Sequence, residues 1–292
     1  MFKCNHIYYV SMLKKKVKKL YSDLVSLFFK FLYGKIKHKS RIQLNSSLKK
    51  SKIIINNKNN YLYEIKDAKL YTDRIQSTAY IQNNIIINEV SFQFIDRINS
   101  KITNNVVITK GTNKFLKNIN GNVFSLLTGG GGNNNYFHWL FDVLPRIKIT
   151  EDLKKINEID YFLVPSLDEK FQIQTLKALG INGNNLLSSK KYRHIKSDKI
   201  FATDHPWHKN DKLKKNHENI PLWIILWLRN KFLKKKHEVR NVNFYIDRSD
   251  STSNVKSFRV IKNEKKIKIF LKKKKFKIIK LAELKFTDQV KL

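Results

Sequence analysis

Near the start of the chain, apolar side chains recur at steps of three or four residues and are separated by lysines. They form what we call the apolar stripe: Leu13, Val17, Leu20, Leu24, Leu27, Phe28 and Phe31. This period predicts an amphipathic helix, and two interpretations of the stripe stay open. The basic helix over residues 13–37 lies on an anionic membrane surface, or its stripe packs against the body of the protein. No apolar run reaches the length of about 20 residues that a membrane span needs.

The next part of the chain changes from polar to β-branched. Residues 39–60 are rich in Lys, Asn and Ser, so we expect residues 1–60 to form a basic amphipathic N-terminal segment and a linker. Short β-branched or apolar runs follow at residues 81–90, 106–109 and 123–127, and they predict strands. The first half of the folded body is therefore predicted to be rich in β-structure.

After a run of glycines, the pattern alternates between helices and strands. Helices are predicted at residues 135–150, 169–179, 221–233 and 263–274. Short strands are predicted at residues 161–164, 199–203, 242–247 and 276–281. Such alternation is typical of α/β proteins with a parallel sheet. The sequence thus predicts an α/β fold for this part of the chain.

The charge of the chain is strongly positive and is concentrated at its two ends. The 292 residues carry 59 Lys and Arg against 23 Asp and Glu, a formal net charge of +36. Residues 1–50 hold 13 basic residues and one acidic residue, and residues 256–292 hold 14 and three. No helix-turn-helix, zinc-finger or RNA-binding aromatic pattern accompanies this charge, so no specific nucleic-acid partner is expected. The single cysteine, Cys4, excludes a disulfide framework and a cysteine-based zinc site.

Four of the nine glycines are consecutive, at residues 129–132, and a polar and aromatic segment follows them. Backbone without Cβ atoms can approach a ligand closely, so Gly131 and Gly132 are candidates for lining a cleft. On the helix predicted next, His138 and Asp142 lie four residues apart and share a face. A carboxylate orients an imidazole and raises its basicity, which suits a general base that acts on a hydroxyl. The alternative is a His–Asp pair on the helix surface with no chemical role.

The segment around this pair is long and distinctive. Residues 135–146 read Asn-Tyr-Phe-His-Trp-Leu-Phe-Asp-Val-Leu-Pro-Arg. This segment resembles the hallmark of the family 61 glycosyltransferases, which include bacterial capsular-polysaccharide proteins and eukaryotic xylosyl- and N-acetylglucosaminyltransferases. Shorter segments downstream are also similar to that family: a His-Pro-Trp turn in residues 202–207, an Ile-x-Arg element in 244–250, an Arg-x-Ile-x-Asn-Glu element in 259–264, and residues 276–279 and 284–290. The resemblance covers roughly residues 61–292.

The resemblance implies a GT-B-like fold of two α/β domains. It also implies an enzyme that inverts the configuration at the anomeric carbon of the transferred sugar and needs no metal. It implies an acceptor and catalytic domain at residues 61–240, with a β-rich start, and a partial nucleotide-sugar-binding domain at residues 241–292. His138 and Asp142 would lie on the catalytic face, with either one as the base. The donor would be a nucleotide sugar, UDP-linked, with no other cofactor. The family continues beyond residues 284–290 with a strand and a His-Gly-Ala motif, so the Rossmann-like C-terminal domain is expected to be incomplete, with weak or no activity.

The same resemblance assigns a donor side and a cleft. The donor side would be formed by Arg248, Arg259, Asn263 and Glu264. Two guanidiniums can hold a diphosphate and neutralise the leaving nucleotide, and residues that open a helix can cap its amides near the phosphates. For Arg248 and Glu264 the alternatives are an ordinary exposed arginine and a first-turn charge. The cleft is expected to be lined by the following residues: Gly131, Gly132, Asn135, Tyr136, Trp139, Arg146, His205 and Trp207.

Residues and resemblance together predict a bacterial glycosyltransferase that builds a surface polysaccharide such as capsule or lipopolysaccharide. It would act in the cytoplasm, peripherally at the inner face of the cytoplasmic membrane. Its partners would be the nucleotide sugar, a polysaccharide or glycolipid acceptor, and an anionic membrane surface. The alternative is a truncated, non-catalytic, membrane-associated relative of such an enzyme.

Overall fold

The computed structural model describes residues 2–39, 44–95, 98–99, 102–129, 134–207, 220–233, 242–249 and 261–292. Its strands are β1 (Leu48–Ile55), β2 (Lys58–Thr72), β3 (Ser77–Gln82), β4 (Ile85–Ile86), β5 (Phe92–Ile95), β6 (Ile98–Asn99), β7 (Lys117–Ser125), β8 (Tyr161–Val164), β9 (Leu186–Ser188), β10 (His194–Thr203), β11 (Phe244–Ile246) and β12 (Lys277–Ile279). Its α-helices are α1 (Phe2–Tyr33), α2 (Val106–Lys110), α3 (Tyr136–His138), α4 (Pro145–Asp152), α5 (Lys170–Ala178), α6 (Leu222–Phe232), α7 (Glu264–Lys273) and α8 (Phe286–Gln289).

One large mixed sheet forms the centre of the described part of the protein. Its strands follow the order β6-β5-β3-β2-β10-β7-β8-β9, with β1 paired to β2 and β4 paired to β3. The pairs from β6 to β10 are antiparallel, whereas β10, β7, β8 and β9 pair in parallel. Parallel neighbours end at one edge of a sheet, so the segments that follow β7, β8 and β10 emerge side by side. The predicted α/β class is confirmed.

The two faces of this sheet pack against different partners because side chains alternate along each strand. Phe124 of β7 and Phe201 of β10 pack on one face in a core that includes Trp139. Their neighbours Val123 and Ile200 pack on the opposite face, in the core with β3 and the segment after it. The helices that carry the sequence motif are therefore held on one face of the parallel half of the sheet.

The C-terminal part contains a separate pair of parallel strands. Strands β11 and β12 pair in parallel, and α7 connects them along the chain. This is a β-α-β unit, and its elements lie within the predicted strands at 242–247 and 276–281 and the predicted helix at 263–274. The sequence prediction of these three elements is confirmed, with shorter strands than expected.

The predicted linker over residues 39–60 is wrong for its second half. Strand β1 pairs along its whole length with β2, from Leu48 opposite Ile65 to Ile55 opposite Lys58. Asn56 and Asn57 make the two-residue turn with φ of 47° and 58°, which suits a tight hairpin between twisted strands. The lysines and serine of β1 hid the strand from a composition-based prediction, although Leu48 and Ile55 are buried.

The predicted strand at residues 106–109 is also wrong, because this β-branched run forms α2. Asn105 precedes the helix, and its side-chain oxygen accepts a hydrogen bond from Val107 N at 3.2 Å. Gly111 ends the helix with φ of 75°. The capping side chain and the terminating glycine outweigh the β-propensity of the residues between them. The helix also buries Val107 completely.

The predicted strand at residues 81–90 is divided in two. Asn83 and Asn84 make a tight turn with φ of 50° and 58°, between the end of β3 and the short strand β4. Ile86, the last residue of β4, and Val90, in the segment that follows, are both fully buried. The β-branched pattern therefore predicted strand structure at the start of this run but not the turn that reverses the chain.

The amphipathic N-terminal helix is present, and its apolar stripe is mostly exposed, with a contact to the body at Phe28, whose ring lies edge-on to Phe115 at 6.5 Å between centroids. All seven members of the stripe are more than half exposed, and Phe31 reaches 90%. The helix is held instead by another face: Ser26 Oγ donates to the carbonyl of Lys110 at 2.6 Å, and Phe29 packs edge-on against Phe115. Among the residues that the structure describes, no helix is both long and apolar enough to cross a membrane.

His194 on β10 makes the free energy of unfolding depend on pH. Burial is the main reason why the pKa of His194 is lowered to about 4. The hydrogen bond with the Lys114 carbonyl, at 2.8 Å, partly opposes this shift, and the charge of Lys69 adds to it. The unfolded chain binds a proton at this side chain near pH 6.5, whereas the folded chain does not until about pH 4. Its contribution to stability is therefore complete above pH 6.5 and is lost as the pH falls towards 4.

When the pH is lowered from 7 to 4.5, we expect the titration of His194 alone to reduce the free energy of unfolding by about 2 to 3 kcal/mol. Urea unfolding at both pH values, in the wild type and in His194→Gln, measures the effect. The variant should lose that part of the pH dependence. Equal pH dependence in both proteins would show that His194 does not titrate differently in the folded and unfolded chains.

Candidate active site

The motif segment begins with a cap and continues through an unusual wide turn. Asn135 Oδ1 accepts hydrogen bonds from Phe137 N at 3.0 Å and from His138 N at 3.3 Å, which starts α3. The residues Trp139–Val143 then form a π-helical turn, and Pro145 opens α4. Proline suits a first helical position because it has no N–H to satisfy. The single helix predicted over residues 135–150 is therefore three consecutive helical pieces, and π turns of this kind are frequent at functional sites.

His138 and Asp142 form a close pair across this turn. His138 Nδ1 lies 2.7 Å from Asp142 Oδ2, and the two side chains are 30% and 7% exposed. The carboxylate accepts the hydrogen bond, so the imidazole carries its proton on Nδ1 and has its lone pair on Nε2. The imidazole is the accessible member of the pair. An imidazole oriented in this way by a buried carboxylate has the geometry that general-base chemistry requires.

Two residues from the segment after β10 complete the surroundings of Asp142. Trp207 Nε1 donates to Asp142 Oδ1 at 2.7 Å, and His205 Nε2 lies 3.8 Å from Asp142 Oδ2. Burial alone would raise the pKa of the Asp142 carboxyl. The charge of His205 and the hydrogen bonds from His138 and His205 outweigh burial and hold that pKa well below its usual range. Asp142 therefore stays ionised at physiological pH and fixes the proton position on His138.

Beneath this cluster, a fully buried arginine ties the π turn to the sheet. Arg146 Nε donates to the carbonyl of Asp142 at 2.9 Å, and its Nη1 donates to the carbonyl of Thr203, the last residue of β10, at 3.4 Å. Burial lowers the pKa of Arg146, whereas Tyr80, Asp142 and Asp204 raise it. Trp139 is equally buried, and its indole N–H donates to Thr175 Oγ1 at 2.8 Å. These side chains hold the pair from below.

The β11–α7–β12 unit holds the turn after β11 through two carboxylates. Glu264 Oε1 accepts from Tyr245 Oη at 3.0 Å and from Arg248 N at 3.2 Å. Asp247 Oδ2 pairs with Lys268 Nζ at 2.8 Å, and this hydrogen bond is the largest reason why the pKa of Asp247 lies well below its usual range. The Arg248 side chain is exposed at the carboxyl end of β11. The turn thus offers a guanidinium to solvent on a fixed backbone.

The C-terminal helix α8 contacts the motif segment directly. Tyr136 Oη donates to Gln289 Oε1 at 3.0 Å. Phe286 N donates to Gln174 Oε1 of α5 at 2.7 Å, and the Phe286 ring packs edge-on against Phe232. The segment that follows the β-α-β unit is therefore anchored to the motif segment beside His138 and to α5 and α6.

Residues 136–292, more than half of the chain, match the sequence model of the family described as Glycosyltransferase 61. The chain belongs to this family. The match starts at the first residue of α3 and includes the His138–Asp142 pair, the segment after β10 and the β-α-β unit. A search of curated proteins finds no match to the chain. Family membership indicates glycosyltransferase activity, with a nucleotide-sugar donor and an acceptor as substrates in general.

In this family 61 glycosyltransferase, four of the predicted site residues lie together. His138, Asp142, His205 and Trp207 form one connected cluster, although the last two are buried and face Asp142. Asn135, which was expected to line the cleft, caps α3.

The other residues expected to line the cleft have different surroundings. Trp139 and Arg146 are fully buried, so neither presents a surface to a ligand. Tyr136 is half-buried and packs on Phe171. Gly131 and Gly132 lie outside the described residues.

The predicted donor residues of the glycosyltransferase are only partly placed. The backbone N–H of Arg248 donates to the Glu264 side chain, so Glu264 stabilises the turn after β11. Asn263 stands at the N-cap position of α7, but its side chain makes no capping hydrogen bond, so the predicted capping role is wrong. Arg259 lies outside the described residues. In the described part of the chain, no three His, Cys, Asp or Glu side chains are grouped as ligands for a metal.

Sequence reasoning did not single out Phe137. Its ring is 38% exposed and packs against His138, Phe141 and Trp207, with a centroid distance of 4.9 Å to Phe141. Trp139 of the same segment is fully buried and Tyr136 and Phe141 are half-buried, whereas Phe137 keeps an accessible apolar ring beside the polar pair. Phe137 stands next to His138 in the motif, but a helical period alone does not distinguish a buried aromatic side chain from an exposed one.

Proposed function

We propose that this glycosyltransferase transfers a sugar from a UDP-linked donor to a hydroxyl of a growing bacterial surface polysaccharide or glycolipid, such as capsule or lipopolysaccharide. The transfer inverts the anomeric centre and uses no metal. It takes place in the cytoplasm at the inner face of the cytoplasmic membrane. The observation that carries this proposal is the His138–Asp142 pair, in which the accessible imidazole is oriented by a buried, ionised carboxylate.

In this proposal His138 is the base and Asp142 is the residue that orients it. His138 Nε2 takes the proton of the acceptor hydroxyl while the hydroxyl oxygen forms a bond to the anomeric carbon. The bond from that carbon to the phosphate oxygen breaks, and the leaving nucleoside diphosphate takes the electron pair. Asp142 stabilises the imidazolium that results, through its hydrogen bond at 2.7 Å. Attack from the side opposite the leaving group inverts the configuration.

The accessible ring of Phe137 supports a sugar as the acceptor. The ring is 38% exposed and lies beside His138, with 5.5 Å between the two ring centroids. The apolar face of a pyranose can pack on an aromatic ring while its hydroxyls stay available for hydrogen bonds. Phe137 would then hold the acceptor ring with one hydroxyl near His138 Nε2.

The β-α-β unit supports donor binding in a GT-B-like arrangement. Arg248 follows β11 at the carboxyl end of a parallel strand, which is where open α/β sheets bind ligands. Its guanidinium suits a diphosphate, and in the proposal Arg259 contributes a second positive charge. Asn263 and Glu264 shape the start of the helix on that side.

Replacement of Arg248 with Ala is expected to weaken UDP binding by about tenfold or more, because a charge-assisted contact with phosphate is lost. The side chain is exposed, so the melting temperature should stay close to that of the wild type. Titration calorimetry with UDP measures the affinity. A panel of nucleotide sugars, with release of free nucleoside diphosphate as the readout, then identifies the donor.

The matched control for this variant is Lys262→Ala, which removes an exposed positive charge just before α7. It should bind UDP like the wild type. If UDP does not bind the wild type, or if both variants bind as the wild type does, the donor assignment fails. Nucleotide binding without any nucleoside diphosphate release, across donors and acceptors, would contradict the proposed activity.

A further inference from the structure

Helix α1 uses one side to hold on to the protein and leaves the opposite side to solvent. At about 100° of rotation per residue, the mean direction of the apolar stripe lies about 180° from that of Ser26, Phe29 and Tyr33. Those three side chains face the body: Tyr33 Oη accepts a hydrogen bond from Leu116 N at 2.9 Å, and its ring packs against His194. The anchoring face and the exposed apolar face thus point in opposite directions from one helix, and they meet at Phe28, whose ring also contacts Phe115.

We propose that the apolar stripe of α1 is a membrane-docking surface whose partner is a bilayer that contains anionic phospholipid. The helix lies in the interface with its stripe among the acyl chains, and the anchoring face carries the body of the protein on the other side. Residues 13–37 hold eight lysines against one acidic residue. Lysines along such a helix contact lipid phosphates while the stripe inserts. This inference stands apart from sugar transfer, since vesicle binding is measured without donor or acceptor.

The charge around the stripe favours a bilayer over a second copy of the chain. Steps of four and three alternate along the stripe, as they do in a coiled-coil seam, so a second copy is the competing occupant. Lys14 and Lys16 would flank such a seam with like charges, and a parallel pair of helices would bring these charges together. Tyr21 and Phe28, 70% and 51% exposed, also widen the apolar face beyond a narrow seam. A broad apolar face with basic edges matches an anionic interface.

The experiment measures sedimentation of the full chain with vesicles of phosphatidylglycerol and phosphatidylcholine. The variant carries Leu20→Gln, Leu24→Gln and Leu27→Gln, which keep the net charge and the helix propensity. We expect its partition coefficient to fall by about 100-fold, because three side chains no longer leave water. The matched control changes three exposed apolar residues outside the stripe, and it should bind like the wild type: Leu44→Gln, Ile54→Gln and Ile75→Gln.

A second set of variants separates the lipid charge from the overall charge of the protein. The triple change Lys14→Glu, Lys16→Glu and Lys18→Glu should abolish the preference for anionic over neutral vesicles. The same reversals at exposed lysines elsewhere should reduce binding far less: Lys58→Glu, Lys66→Glu and Lys177→Glu. Binding that is equal in the stripe variant and the wild type would overturn the proposal, since bulk charge alone would explain it. So would a dimer in analytical ultracentrifugation that the stripe variant loses, with no vesicle binding by the wild type.

Discussion

Replacing His138 with Ala is expected to lower kcat for sugar transfer by about 1,000-fold, within the range that a general base contributes. The donor KM should change little, because the imidazole acts on the acceptor hydroxyl. The side chain is 30% exposed, so little packing is lost, but the buried Asp142 loses a charge-assisted hydrogen bond, and stability should fall by about 1 to 3 kcal/mol. Initial rates of nucleoside diphosphate release in the presence of acceptor, with urea unfolding of the same samples, measure both effects.

Replacing Asp142 with Asn tests whether the carboxylate acts through His138. The amide can offer its oxygen to either Trp207 or His138, and the partner that faces the NH2 group must then accept a hydrogen bond. The indole N–H cannot accept, so His138 Nδ1 faces the amide NH2 and the imidazole proton moves to Nε2, the wrong position for a base. We expect kcat to fall by at least about 100-fold.

The chain supplies a matched control for this change. Lys148 and Asp152 form a pair at the same spacing on α4, with 2.7 Å between Lys148 Nζ and Asp152 Oδ2, and both side chains are partly exposed. Asp152→Asn should leave kcat unchanged. An Asp142→Asn protein with wild-type kcat, or an equal loss in both variants, would contradict the role assigned to the pair.

The local part of this site was predictable from the sequence, and the distant part was not. His138 and Asp142 lie four residues apart, so any helical geometry brings them to one face, and the π turn between them did not separate them. Trp207 reaches Asp142 from 65 residues further along the chain, through a segment that follows β10. A periodic pattern contains no information on such a contact, because it depends on the order of strands in the sheet.

The fold shows the same division between local and distant information. Most helices and strands after residue 160 were predicted from alternation and from glycine and proline signals, which act over a few residues, but the short strand β9 and the short helix α8 were not. Strand β1 was missed because its lysines and serine made it look like a linker, and it becomes a strand by pairing with β2. Helix α1 was predicted from its stripe, but the face that holds it depends on Phe115 and Lys110, which are far away in sequence. Tertiary contacts decided each of these cases.

Replacing Arg146 with Met is expected to lower the free energy of unfolding by about 3 kcal/mol. Methionine fills much of the same volume, so the loss comes from the hydrogen bonds. The carbonyls of Asp142 and Thr203 lose a charged donor in a fully buried place, and the negative charge of Asp142 loses a nearby positive one. Because these bonds tie the π turn to β10, kcat should fall together with stability. Urea unfolding and initial rates measure the two effects.

Two further variants show whether the fork of Arg146 or merely its charge matters. Arg146→Lys keeps the positive charge but cannot reach both carbonyls with a rigid planar group, so we expect it to recover less than half of the lost stability. Arg229→Met removes an exposed arginine from α6 and should change stability by less than about 0.5 kcal/mol. Full recovery by lysine would show that charge alone suffices. A loss in Arg229→Met as large as in Arg146→Met would show that the buried hydrogen bonds do not explain the effect.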